Sequence, residues 1–245
     1  MKQEDTLSAS PKRCGIIIPV YNSDIYLKEL LSQIKGIQGK SSSYDLNVAV
    51  VDDGSAPPVE MRDVSGLEVE WIRHPQNRGK GAALKTGFNH FLNEDVDPII
   101  SMDGDLQHPT KFIPEFLQMY QTGNFDVIIG SRKRNPKIMP FHRIVSNTLT
   151  SLIISALIRQ WVPDSQCGYR LYSREVIETI QPEENRFHLE SEMLIRSGWK
   201  NYRIGHVSIP TIYNEAPSAI RNVSDTLNFI SLIFRLLKER IISNV

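Results

Sequence analysis

The sequence predicts an α/β fold with a mainly parallel β-sheet flanked by helices, and three observations support it. Short, continuously apolar runs are typical of strands that are buried on both faces, and "GIIIPV" (15–20) and "NVAVV" (47–51) are two examples. Segments with helical periodicity alternate with these runs. The connections are short, as in repeated strand–helix–strand units.

The first half of the chain contains five predicted strands, separated by helices. The strands are expected at 15–20, 47–51, 67–74, 97–103 and 126–131. The helices are expected at 25–35, 79–94 and 109–120. The first of these helices repeats apolar residues near a helical period, and the last has Pro109 in its first turn, where proline is tolerated.

The second half is expected to complete the same domain. A long helix at 143–162 is more apolar than a surface helix should be, and a helical segment follows at 187–199. A strand is expected at 203–213 and an amphipathic helix at 225–242. We find no internal repeat and no low-complexity linker.

Composition excludes several classes of function. The chain has 245 residues with 28 Lys plus Arg and 28 Asp plus Glu, so no net field draws it to nucleic acid. Two cysteines are too few for a disulfide framework, which favours a reducing compartment such as the cytoplasm. The N-terminal residues lack the apolar core of a signal peptide, and no run approaches the ~20 apolar residues of a membrane span. We expect a protein that is soluble or lies on a membrane surface.

Polar residues follow four of the predicted strands, and ligands of parallel sheets bind beyond the carboxyl ends of strands. These polar segments are 19–22, 52–55, 74–81 and 103–107. In an extended segment, Asp103, Asp105 and Gln107 would face the same side. We therefore expect them to point together into a cleft.

Two carboxylates and an amide oxygen suit Mg²⁺ or Mn²⁺ and are poor ligands for zinc. So few protein ligands leave room for substrate phosphates, so the triplet predicts a metal that holds a diphosphate. A lone D-x-D is commonly an exposed turn, and "DDGS" can be turn chemistry. The segment "NRGKGAALKTG" matches neither the P-loop nor the dinucleotide-binding spacing. The order and placement of the four segments together favour a binding site.

In this order, "IIIPVYN", "VAVVDDGS", "NRGKGAALKTGF" and "ISMDGDLQHP" resemble the GT-A domain of the family 2 inverting glycosyltransferases. The later "DVIIGSR" and "DSQCGYRLYSREV" are similar to the polyprenyl-phosphate sugar transferases within that family. We accordingly expect a disordered tail at 1–12, a GT-A domain at 13–219 and an amphipathic helix at 220–245, which packs on the domain or on a membrane.

The resemblance implies roles for individual residues. Those expected to bind a nucleotide-sugar donor are Pro19, Tyr21, Asn22, Asp53, Arg78, Lys80, Asp103, Ser218 and Arg221. Those expected to hold Mg²⁺ or Mn²⁺ are Asp103, Asp105 and Gln107. Those expected to bind the phosphate of a polyprenyl-phosphate acceptor are Arg132, Arg143 and Ser146. Those expected to be catalytic are Asp105, Arg132 and Arg143.

Such an acceptor fits the charge pattern of the segment 131–143. An alcohol is a poor nucleophile and needs a general base, whereas a lipid phosphate is already anionic and needs neutralisation. The segment supplies six basic side chains and no acid, although the whole chain is neutral: Arg132, Lys133, Arg134, Lys137, His142 and Arg143. We expect a phosphate clamp beside a lipid-binding groove.

The two apolar helices, near 147–162 and 226–242, allow three interpretations. They can pack on each other, form a homodimer interface, or lie in a membrane surface with Lys, Arg and Trp at the boundary. The implied polyprenyl acceptor favours peripheral contact with the inner face of a membrane.

Three alternatives remain. A soluble family 2 enzyme that glycosylates a sugar hydroxyl would need a base, and Glu190 or Glu192 could supply it. A sugar nucleotidyltransferase should carry an early glycine-rich loop with a basic residue, which "PVYNSD" lacks. A catalytically silent nucleotide-binding module is disfavoured by the intact D-x-D-x-Q.

Overall fold

The computed structural model describes residues 12–38, 44–60, 66–133, 139–212 and 222–243. Most of the predicted N-terminal tail lies outside the described residues. The same is true of Ser218 and Arg221, the two donor contacts predicted nearest the C-terminus.

Within the described residues, seven strands form one sheet in the order β3-β2-β1-β4-β6-β5-β7. The strands are β1 (Lys12–Val20), β2 (Tyr44–Asp52), β3 (Glu68–Arg73), β4 (Ile99–Ser101), β5 (Val127–Arg132), β6 (Arg170–Tyr172) and β7 (Ile204–Ile209). Neighbouring strands are parallel, except that β6 runs antiparallel to both β4 and β5. The predicted mainly parallel sheet is confirmed.

Helices flank this sheet and follow the predicted order. They are α1 (Leu27–Ile37), α2 (Lys80–Leu92), α3 (Ile113–Gln121), α4 (Phe141–Ile158), α5 (Arg174–Thr179), α6 (Leu189–Trp199) and α7 (Asn222–Ser243). A short 3-10 turn, Thr110–Phe112, precedes α3. The central strands are apolar because both of their faces are covered, as in "III" of β1, where all three isoleucines are fully buried.

Strand β6 and helix α5 were not predicted. Strand β6 has only three residues and begins with Arg170, a charged residue that contradicts the pattern of a buried strand. The structure resolves the contradiction, because the buried guanidinium donates to three backbone carbonyls. It lies 2.8 Å from Cys167 O, 2.7 Å from Ser165 O and 2.5 Å from Glu190 O. Arg170 thus ties the segment before β6 to helix α6.

Helix α4 packs on α6 by one face and exposes the other. Ile158 lies against Gly198, and the indole Nε1 of Trp199 donates to Leu157 O at 3.1 Å. The exposed face carries an apolar stripe at helical spacing: Phe141, Val145, Leu149 and Leu152. Among the described residues, α4 is the one helix whose length and composition would suffice to cross a membrane.

Helix α7 also has two apolar faces. It buries Phe229, Leu232 and Leu236 and exposes Leu227, Ile230 and Phe234. Its polar contacts reach α6, where Arg196 pairs with Glu239 at 2.8 Å, and the Arg240 guanidinium lies 4.7 Å from the centre of the Trp199 ring. The helix therefore packs on the domain while a large apolar surface stays exposed.

Candidate active site

A cavity of about 670 Å³ opens at the carboxyl ends of β1 and β4. This is the sheet edge where ligands of open α/β folds bind. The predicted site residues in its lining are Pro19, Tyr21, Lys80, Asp103, Asp105, Gln107, Arg132 and Arg143. The structure therefore brings donor, metal and acceptor candidates to one cavity.

The segment that carries the two aspartates is a turn and is not extended. Strand β4 already ends at Ser101, and Leu106 has a positive φ of 62°. The amide of Gln107 donates to Asp105 Oδ1 at 3.0 Å and closes the turn. The expected strand alternation was therefore wrong for this segment, although all three side chains line the same cavity.

His108, which also lines the cavity, holds this turn by a hydrogen bond. The backbone amide of Asp103 donates to His108 Nδ1 at 2.9 Å, so the ring proton resides on Nε2. Burial lowers the pKa of His108, which keeps the ring neutral, and the ring stacks on Tyr169 with centroids 5.2 Å apart. This histidine belongs to "DGDLQHP", but no role was predicted for it. The position of His108 five residues after Asp103 was the feature of the sequence that could have indicated this contact.

Three charged side chains from distant segments converge beside the turn. Lys80 Nζ lies 2.7 Å from Asp103 Oδ1 and 3.2 Å from Glu190 Oε1. Gly168 lies directly beside these groups, since a Cβ at that position would lie 2.7 Å from Nζ and 2.8 Å from Oε1 of Glu190 and would displace them. The glycine of "CGYR" thus leaves space for charge at the floor of the cavity.

The charges shift one another's pKa values. Burial alone would raise the pKa of Asp103, but the charge and the hydrogen bond of the Lys80 ammonium group outweigh it and lower the pKa to about 2. Burial would lower the pKa of Lys80, yet Asp103 and Glu190 raise it. Burial and the nearby Asp103 both raise the pKa of Asp105. Asp103 is thus the better stabilised carboxylate of the two.

The donor set suits a hard divalent cation. Asp103 and Asp105 repel each other, and a cation between them would relieve that repulsion. Gln107 lines the same cavity and adds an uncharged oxygen. No cluster of three or more His, Cys, Asp or Glu side chains suited to a metal occurs in the described part of the chain. A metal bound here would therefore take its other ligands from substrate or water.

Asp53 shapes the loop that leads into α2. Its carboxylate accepts from the backbone amides of Arg78 at 2.9 Å and Gly79 at 2.7 Å, and His74 Nδ1 lies 2.7 Å from Oδ1. The side chain is 3% exposed, so both oxygens serve the protein in this structure. Its neighbour Asp52 accepts from the backbone amides of Ser55 and Val59 and so holds the segment that follows β2. A contact between Asp53 and the donor stays a prediction.

Other predicted residues lie outside the described lining of the cavity. Asn22 accepts from the Ala56 amide at 2.9 Å and joins the ends of β1 and β2. Arg78 is exposed on the loop before α2, and Ser146 is exposed on α4. Their predicted roles stay predictions.

Arg132 is held in the cavity by an acid from the segment before β6. Its Nε and NH2 groups donate to the two carboxylate oxygens of Asp164 at 2.7 and 3.0 Å, and its backbone amide donates to the same side chain at 3.2 Å. Asp164 is 2% exposed. Such a bidentate pair fixes the plane of the guanidinium. Arg143 lines the same cavity from the first turn of α4.

Comparison with known proteins decides the family. The Glycosyl transferase family 2 profile matches residues 15–181, more than half of the chain. The chain belongs to glycosyltransferase family 2. A relative from Methanococcus voltae, a UDP-N-acetylglucosamine–dolichyl-phosphate N-acetylglucosaminyltransferase, is 30% identical over 91% of this chain and 94% of its own length.

A further relative and a solved structure agree with this family and with the fold. An undecaprenyl-phosphate 4-deoxy-4-formamido-L-arabinose transferase of Proteus mirabilis is 31% identical over 69% of this glycosyltransferase, which spans about half (51%) of that relative. A glucosyl-3-phosphoglycerate synthase of Mycobacterium tuberculosis, solved with Mn²⁺, UDP-glucose and phosphoglyceric acid, has a TM-score of 0.69. It is 19% identical and covers 93% of this chain and 79% of its own, so it supports the predicted GT-A fold.

Among the two glutamates named as candidate bases, this glycosyltransferase places only Glu190 in the cavity. Glu192 is fully buried and accepts from the backbone amides of Glu183 and Glu184 and from Arg196 Nε. It anchors the loop before α6. That loop in turn packs against the start of α2, where the Ala82 amide donates to Asn185 O at 2.9 Å.

Proposed function

We propose that this family 2 glycosyltransferase moves a sugar from a nucleoside-diphosphate donor to a polyprenyl phosphate, with the aid of Mg²⁺ or Mn²⁺. One observation carries the proposal. A single cavity contains the hard-ligand set Asp103, Asp105 and Gln107 together with the cations Arg132 and Arg143. The relatives named as dolichyl- and undecaprenyl-phosphate transferases support it.

The charges of the cavity suit two anionic substrates. A metal held by Asp103, Asp105 and Gln107 would stabilise the diphosphate leaving group. Arg132 and Arg143 would neutralise the acceptor phosphate, whose oxygen forms the new bond to the anomeric carbon while the nucleoside diphosphate departs with the electrons of the broken bond. Because the acceptor is already ionised, the reaction needs no general base.

The assignments of donor contacts belong to the same proposal. Pro19, Tyr21 and Lys80 line the cavity and are the donor contacts that the geometry favours. The division into a catalytic domain at 13–219 and a C-terminal helix at 220–245 is likewise part of the proposal.

We place the enzyme at the cytoplasmic face of a membrane, with the apolar stripe of α4 in contact with lipid. The stripe starts at Phe141, between Pro140 and His142 of the cavity lining, so a lipid chain could leave the cavity along it. The described part of α4 carries no acid, and Trp161, just beyond its end, is 61% exposed. Replacing Phe141 and Leu149 by serine should abolish flotation with anionic vesicles. Dimerisation through the stripe would instead appear as a mass change in ultracentrifugation without lipid.

The decisive experiment is a transfer assay with UDP-N-acetylglucosamine, UDP-glucose and GDP-mannose as donors and a short polyprenyl phosphate as acceptor. Arg143→Met should lower the rate at least ~100-fold, the scale of losing one stabilising group for developing charge. The matched control is Arg159→Met, which removes an exposed arginine just after the other end of α4 and should leave the rate unchanged. No transfer from any donor, or equal losses in both variants, would refute the proposal.

A second function is transfer to a sugar hydroxyl, because Glu190 lines the cavity as a carboxylate could for a general base. Its carboxylate is engaged by Lys80, which favours a structural role. Glu190→Gln separates the two functions. Hydroxyl transfer should collapse in this variant, whereas the chemical step with polyprenyl phosphate should persist.

A further inference from the structure

Lys80 occupies the carboxylate that the proposed function assigns to the metal. Its ammonium group lies 2.7 Å from Asp103 Oδ1, and its side chain is 16% exposed. We propose that Lys80 is an exchangeable counter-ion, which holds Asp103 in the nucleotide-free enzyme and leaves it when a diphosphate enters. Divalent metal and nucleotide would then bind cooperatively. The inference rests on the proposed function and concerns the order in which its site assembles.

Competition for one carboxylate is the physical basis. A divalent ion that approaches Asp103 alone meets an ammonium ion already in contact with it, and the two cations repel each other. A diphosphate changes this balance, because it offers anionic oxygens to Lys80 and further ligands to the metal. Each ligand therefore favours the binding of the other, and the coupling is reciprocal.

The cavity holds a second anion for Lys80. Glu190 Oε1 lies 3.2 Å from Nζ. This oxygen is buried and has no hydrogen-bond partner among the described residues. Gly168 keeps the space between them open, since a Cβ there would fall within 2.8 Å of both groups. Glu190 can thus retain Lys80 in the cavity after Asp103 is released. We assign Glu190 as the positioning residue of this exchange.

The exchange can be measured without catalysis, by titrating Mn²⁺ and following free Mn²⁺ by electron paramagnetic resonance. Each titration is done alone, with UDP and with GDP. In the wild type, one nucleotide should tighten Mn²⁺ binding at least ~10-fold, within the 5- to 150-fold range of typical couplings. In Lys80→Met, Mn²⁺ alone should bind ~10-fold more tightly than in the wild type, and the gain from nucleotide should fall below ~3-fold.

Three further variants distinguish the effect of the Lys80 charge from other changes in the cavity. Lys80→Arg retains the charge and should keep weak Mn²⁺ binding without nucleotide. Glu190→Gln leaves Lys80 with Asp103 alone and should weaken Mn²⁺ binding further. Arg143→Met removes another cation of the cavity. Among the described residues Arg143 forms no ion pair with Asp103, so this variant should change Mn²⁺ affinity much less than Lys80→Met.

The outcomes separate the two proposals. Three results would overturn the exchange and leave the proposed function standing. The wild type would bind Mn²⁺ as tightly without nucleotide as with it, or Glu190→Gln would bind Mn²⁺ more tightly than the wild type. The third is that Lys80→Met and Arg143→Met change Mn²⁺ affinity equally. If calorimetry detects no binding of UDP or GDP with Mn²⁺ present, the proposed function fails as well. Circular dichroism shows whether Lys80→Met is folded, and if it is not, Lys80→Arg and Glu190→Gln still decide the result.

Discussion

Replacing Arg170 by methionine tests the account of the buried strand β6. Its guanidinium donates to the carbonyls of Cys167, Ser165 and Glu190, and the residue is 1% exposed. Methionine fills much of the space but leaves the carbonyls of Cys167 and Ser165 without this donor, whereas that of Glu190 keeps its place in the hydrogen bonding of helix α6. Each unsatisfied buried group costs ~1–3 kcal/mol, partly offset because a charge no longer has to be buried. We expect a net loss of ~3–5 kcal/mol in the free energy of unfolding.

Urea denaturation followed by circular dichroism measures this loss, and the melting temperature should fall by ~6–20 °C, at ~2–4 °C per kcal/mol for a chain of this size. Arg174→Met is the matched control. Arg174 also donates to two carbonyls, of Leu92 and Glu94, but its side chain is 31% exposed. Water can replace its hydrogen bonds, so this variant should lose no more than ~1 kcal/mol. A loss below ~1 kcal/mol in Arg170→Met would refute the reasoning.

Three further predictions follow from single contacts. Burial alone would raise the pKa of Asp52, but hydrogen bonds from Ser55 outweigh it and lower that pKa. The free energy of unfolding lost in Asp52→Asn should therefore be largest at neutral pH and shrink below about pH 4. Urea unfolding at pH 7, 5 and 3 measures this dependence. Gly198→Ala would overlap Ile158 and should cost ~1–3 kcal/mol, part of which Ile158→Ala restores in a double-mutant cycle. Asp105→Ala should abolish the metal-dependent thermal shift produced by UDP or GDP without lowering the melting temperature of the unliganded protein.

Much of the fold could be predicted because its signals are local. Apolar runs and helical periods identified every described strand except β6 and every described helix except α5. Strand β6 was missed because its first residue is charged and its pairing partners lie far away in the sequence. Only the three-dimensional arrangement shows that three carbonyls surround Arg170.

The same division applies to the site. Asp103, Asp105 and Gln107 were predicted from ligand chemistry, and they line one cavity through a turn at 104–106 that the sequence pattern did not indicate. The partnership of Lys80 with Glu190 spans 110 positions, and no local pattern encodes it. His108 and Asp164 were missed for a related reason. They act on the backbone or side chain of other site residues, so their roles depend on packing and not on residue type.

The position of β6 has a consequence for how the chain assembles as it is synthesised. Strand β5 pairs with β6 and β7, and both follow it in the sequence. Strands β1 to β4 can therefore pair with one another early in synthesis. Strand β5 can pair only after residues 170–172, which form β6, have left the ribosome. Those three residues join the half that carries Asp103 to the strand that carries Arg132. The three-residue strand β6 therefore determines how far Arg132 lies from the segment of Asp103 in the cavity.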